Sequence, residues 1–126
     1  MLRERVADDI YVFTSELYVK VTAGAVLTSQ GVVVIDTLLF PQETRQIVDL
    51  VRRKSKGPVL YVINTHSHAD HVYGNYLFDK AEVIGHQLCR EALERRGEDE
   101  LMVAKEQIPE LAEVELRLPT LTFAGE

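Results

Sequence analysis

Val59-Leu60-Tyr61-Val62-Ile63 is a continuous apolar run rich in β-branched and aromatic residues, introduced by Gly57-Pro58 and followed almost at once by His66-Ser67-His68-Ala69-Asp70-His71. A run of that length and composition predicts a strand buried on both faces, which calls for a layered α/β architecture. The polar cluster then lies just past the strand's carboxyl end, where open α/β sheets gather their ligands.

The cluster packs three imidazoles and a carboxylate into six residues. Imidazole suits zinc, iron and similar cations, and a neighbouring carboxylate adds the anionic oxygen of many hydrolytic metal sites. Four histidines and seven aspartates in 126 residues would produce H-x-H-x-D-H by chance on the order of once in several thousand such chains. In extended backbone His66 and His68 project to the same side and can grip one metal together. Asp70 and His71, at the turn into the next segment, face a second.

The rest of the chain supplies a frame for this loop. Ile10–Phe13, Leu17–Val21, Ala25–Thr28 and Val32–Ile35 read as strands, with a turn at Ser29-Gln30-Gly31, and predict an antiparallel opening. Pro41 starts a helix carrying Ile47, Val48, Leu50 and Val51 on its apolar face, which stops near Gly57. Its basic last turn, Arg52, Arg53 and Lys54, complements the helix dipole. Beyond the motif, residues 81–85 predict a short strand, 87–96 a helix ended by Gly97, 98–107 a further helix, and 114–118 a last strand after Pro109.

The stretch from Asn64 to Asn75 resembles the signature loop of the metallo-β-lactamase superfamily, T-H-x-H-x-D-H-x-G-G-N, and the run from Gly31 to Thr37 resembles the strand and acidic turn before it. Tyr73 stands where the first of the two glycines is usual. The resemblance runs from about Ile10 to the end and covers only the N-terminal half of the family domain, so residues 1–126 are expected to form half of an αβ/βα sandwich: a mixed sheet with helices on one face. It implies His66, His68, Asp70 and His71 as metal ligands, one or two zinc ions with iron or manganese as substitutes, and Asp70 as the catalytic residue that also orients the nucleophile. The reaction it implies is metal-dependent hydrolysis of an ester, thioester, lactam or related bond in a small molecule, by water whose pKa the metal lowers to about neutrality. The second half of such domains supplies further ligands, and none has a match here. A metal-binding half-domain without turnover, active only when a second chain completes it, is therefore the alternative.

Other residues carry two readings each. Asp36 either accepts from a ligating imidazole or caps a turn. Tyr73 and Tyr76 either line a substrate pocket or pack with a wet hydroxyl. His86 either completes a three-histidine site or sits idle at a strand end. Cys89 is alone, which excludes an intrachain disulfide and leaves it a buried helix residue. A formal net charge of −6 and a pI near 5.2 argue against a nonspecific nucleic-acid footprint. No run is long enough to cross a bilayer and no signal-type segment opens the chain, which predicts a cytoplasmic protein without membrane contact. A lone half-sandwich would leave the runs at 32–35 and 59–63 in water, and a homodimer through the exposed sheet face is the expected cover.

Overall fold

The computed structural model describes residues 1–125; Glu126, the last residue of the expected half-domain, lies outside them. Among the described residues the chain builds one mixed sheet whose strands stand side by side in chain order. β1 (Leu2–Ala7), β2 (Ile10–Thr14), β3 (Thr22–Leu27) and β4 (Val32–Ile35) pair antiparallel. β5 (Val59–Ile63), β6 (Glu82–His86) and β7 (Leu121–Phe123) continue in parallel from β4. Parallel strands need crossovers, and helices supply them. α1 (Pro41–Lys54) joins β4 to β5. A single turn, α2 (Ala69–Val72), follows β5, while α3 (Gln87–Ala92) and α4 (Glu98–Gln107) lie between β6 and β7.

One face of the sheet is covered. Ile47, Leu50 and Val51 of α1 pack on Phe13, Ala25, Val34, Val62 and Val83 to form the main core. A second cluster gathers Leu39, Val72, Tyr73, Leu93, Leu101 and Leu111 under α2, α3 and α4. The other face has no element of the described residues over it. There Val26 pairs with Val33, Val33 with Tyr61, and Ile63 with both Ile35 and Ile84. All are only half-buried or exposed, Tyr61 at 41%.

Four expectations are corrected, and one strand, β1, was not foreseen. β5 is not buried on both faces: Val62 is fully covered by α1, and its alternate neighbour Tyr61 looks outward. An irregularity between Val32 and Val33 keeps Val59 on the covered side before that alternation begins. Leu17–Val21 forms a turn, not a strand, with Val19 and Lys20 at positive φ (40° and 57°). Its local β-propensity is overridden because the buried Glu43 of α1 accepts from Ser15 Oγ (2.5 Å) and Glu16 N (2.9 Å). β1 is an added antiparallel edge that its many charges concealed. Gly97 does not end the helix; residues Leu93–Gly97 form a π-turn running into α4. A Cβ at Gly97 would press on Leu116, so this glycine serves close packing. Residues 114–118 make no ladder, because Arg117 ties them to the loop before β6, donating to Phe78 O (2.6 Å) and Ala81 O.

Candidate metal centre

The motif sits where β4 and β5 end side by side. Asp36 N donates to Ile63 O (2.8 Å) and Asn64 N to Ile84 O (2.9 Å), so the ladder runs one residue past each strand before the loop departs. Asp36 then adopts a left-handed conformation (φ 61°), which aspartate tolerates better than most residues. Its buried carboxylate turns across to the loop after β5. Oδ1 accepts from Thr65 N (2.8 Å); Oδ2 accepts from Thr65 Oγ1 (2.7 Å) and lies 2.7 Å from His71 Nδ1.

These contacts settle which imidazole nitrogens are free. An ionised carboxylate only accepts, so His71 must donate through Nδ1–H and keep a lone pair on Nε2. The single hydrogen of the Thr65 hydroxyl is spent on Asp36, so its 2.9 Å contact with His66 Nδ1 has His66 donating. His66 is therefore also left with a free Nε2. One carboxylate directs two rings, one directly and one through Thr65, as the outer partners of metal-binding histidines do.

The backbone of the loop is held as firmly. His71 O accepts from Thr37 N (3.0 Å) and Asn64 Nδ2 (3.3 Å), while the Thr37 hydroxyl donates its hydrogen to Asn75 Oδ1 (2.9 Å). Asn64 and Asn75 pair through both amide groups (2.8 and 3.0 Å), and Asn75 Nδ2 also reaches Arg117 O (3.0 Å). Gly74 touches this frame so closely that a Cβ would collide with Thr37 O and the Thr44 side chain.

The predicted ligands stand together on this frame. The rings of His66 and His71 lie 4.0 Å apart, centre to centre, and those of His66 and His68 4.8 Å apart. His71 Nε2 is 3.6 Å from Asp70 Oδ2. Two ligands on one tetrahedral zinc lie about 3.4 Å apart, given metal–ligand lengths near 2.1 Å, so this pair fits a shared ion. Among the described residues no three such groups already close on a single point. Burial, then the neighbouring rings of His71 and His68, lowers the proton affinity of His66 and favours the neutral form that binds metal. Next to the loop, Tyr18 from the turn after β2, Leu39, His68, Asp70 and Glu100 line a cleft of about 280 Å³.

His86 does not join them. Its Nδ1 accepts from Leu88 N (3.0 Å) as the N-cap of α3, and its Nε2 donates to Gly125 O (3.1 Å), which leaves no lone pair for a metal. Tyr73 is buried in the second core cluster. Tyr76 packs against the same cluster; its hydroxyl is buried without a hydrogen-bond partner among the described residues, and burial first, Glu113 second, pushes its pKa up to about 12. For both tyrosines the packing reading holds, without the wet hydroxyl in Tyr76. Cys89 is buried in α3, as expected. Thr65 and Asn75 stand in the quoted motif, but the sequence alone assigns no role to them or to Thr37, Asn64 and Thr44, because threonine and asparagine beside a turn look like ordinary loop residues until their partners are known.

Comparison with known proteins bears on the family and the fold. A curated metallo-β-lactamase type 2 from Bacillus cereus is 32% identical over 80 residues, which are 61% of this chain and 31% of that protein. The solved structure of DIM-1 metallo-β-lactamase exposed to ceftazidime superposes with a TM-score of 0.73 at 17% identity, over 98% of this chain and 52% of that one. A metallo-β-lactamase from Pontibacter korlensis superposes with a TM-score of 0.69 at 19% identity, over 99% and 53%. The two structures speak for the fold, and this chain spans about half their length. The model of the metallo-β-lactamase superfamily matches residues 19–125, and the chain belongs to that family.

Proposed function

We propose that this chain is the ligand-bearing half of a metal-dependent hydrolase, with His66, His68, Asp70 and His71 as metal ligands. The observation that carries this reading is the Asp36 carboxylate, which leaves Nε2 free on both His66 and His71. Metal-binding histidines characteristically have the other ring nitrogen fixed by such an outer carboxylate or hydroxyl. A bound divalent ion, zinc first and iron or manganese next, supplies an activated water at neutral pH. The chain's own residues do the rest. Asp36 and Thr65 hold two imidazoles oriented with Nε2 free, and the cleft beside His68 and Asp70 admits a small substrate. Asp70, only 3.6 Å from His71 Nε2, can ligate and also accept a hydrogen bond from the attacking water. The substrate class is an ester, thioester, lactam or related bond. The test is hydrolysis of a panel of such compounds by protein loaded with zinc, manganese or iron. Turnover that disappears in Asp70→Ala supports the reading, and metal-loaded protein without turnover on any of them counts against it.

A second reading is favoured by the open sheet face. Ile35, Tyr61, Ile63 and Ile84 form a connected apolar surface with nothing of the described chain over it. A half-domain that binds metal but turns over only when a second copy covers this face accounts for that surface. Turnover that rises with the square of chain concentration at low micromolar levels distinguishes it from the first reading.

A further inference from the structure

At the opposite end of the sheet from the metal loop, the C-terminal turn of α1 and the loop before β6 stand apart over the start of β5. Between them is a cavity of about 510 Å³, larger than the cleft beside the motif. Its walls are Val48 and Val51 of α1, Val59 of β5, and Leu77 and Phe78. These residues are buried or half-buried, so the floor is a continuation of the main core. Small-molecule sites occupy roughly 300–1,000 Å³ and are mostly apolar with a few polar groups at defined places.

The polar groups here are of one dominant sign. Arg52, Lys56 and Lys80 stand at the mouth with Asp79 as the one carboxylate among the lining residues. None of the three cations forms an ion pair or side-chain hydrogen bond among the described residues, in a chain whose net charge is −6. Both walls are fixed from behind. Arg117 holds the carbonyls of Phe78 and Ala81, and the Ser55 hydroxyl closes the turn after α1 through Gly57 N (3.1 Å) and Gly57 O (3.2 Å). A rigid apolar slot with a cationic rim matches a small amphipathic anion, apolar end inward and charged end at the mouth.

We infer that this cavity binds a soluble amphipathic carboxylate, with a medium-length acyl or aryl body against Val48, Val51, Val59 and Leu77, and its carboxylate between Arg52, Lys56 and Lys80. The site lies on the helix-covered side, so it depends neither on the metal nor on what covers the open face. Decanoate is the probe, below its micellar concentration, added to methyl-labelled protein and followed by NMR. Saturable shifts are expected on the methyls of Val48, Val51, Val59 and Leu77. Decanol, the neutral analogue, is expected to bind at least tenfold more weakly. The R52Q/K56Q/K80Q variant changes only exposed side chains and is expected to lose at least tenfold in decanoate affinity while leaving decanol unchanged. Raised salt should weaken decanoate alone, because the rim charges are solvent-exposed. Shifts centred instead on Val33, Ile35 and Ile84, or a charge variant that binds decanoate as well as the parent, would overturn the assignment. Should the triple variant misfold, Val51→Phe, which fills the slot, provides the second check and is expected to abolish the shifts.

Discussion

Asp36 concentrates the chemistry of this site in one side chain. Its carboxylate takes three hydrogen bonds, and two of them decide which nitrogen His66 and His71 present. Asp36→Asn keeps the shape and tolerates the left-handed backbone, but its amide Nδ2 cannot accept. Metal affinity is expected to fall about tenfold, the usual loss when an outer partner of a metal-binding histidine is removed; calorimetric titration with zinc measures it, and an unchanged affinity returns Asp36 to holding the turn. Ligating imidazoles must be neutral, so protons compete with metal. For His66 the depressed proton affinity moves that competition below its ordinary value of 6.5. Metal content, followed by dialysis at stepped pH, is therefore expected to hold at neutral pH, to fall as the solution is taken acid, and to recover on return. Retention of full metal at pH 4 contradicts imidazole ligation.

The elements show why the motif was legible and its support was not. His66, His68, Asp70 and His71 announce themselves because their residue types are rare in such density. Val59–Ile63 announces itself as a strand by its β-branched apolar run, though not its open face, and Pro41–Lys54 announces itself because its apolar spacing, its first-turn proline and its basic last turn agree with packing. Leu17–Val21 misleads because a glutamate 22 or more residues downstream captures its neighbours Ser15 and Glu16. Residues 114–118 mislead because Arg117 spends its guanidinium on distant carbonyls, and no local pattern records that. The same long-range ties make the loop's frame testable. Asn75→Ala strands the amide of Asn64 and removes an acceptor of Thr37 Oγ1, at a cost of about 2 kcal/mol in unfolding free energy. Gly74→Ala forces Thr37 and Thr44 apart and should cost about 1–3 kcal/mol. Urea denaturation of both variants checks these values; a Gly74→Ala protein as stable as the parent would mean that the loop is looser than its contacts indicate.

Among the described residues a single layer of helices lies on a sheet whose second face is apolar and open. Covering Ile35, Tyr61, Ile63 and Ile84 removes apolar surface from water, and two copies of one self-complementary face can do that for each other. The parent chain is expected to run as a dimer in light scattering at micromolar concentration, and Tyr61→Lys to shift it to monomer by placing a charge in the interface. A folded parent monomer would mean that the face is covered otherwise. The central claim, that the loop from His66 to His71 holds metal, does not depend on that outcome. Its most direct test is elemental analysis of metal per chain in the parent and in His66→Ala/His68→Ala, both loaded with zinc and dialysed at neutral pH. The parent is expected to retain one or two ions per chain and the double variant to lose them; equal metal in the two proteins would contradict the ligand assignment.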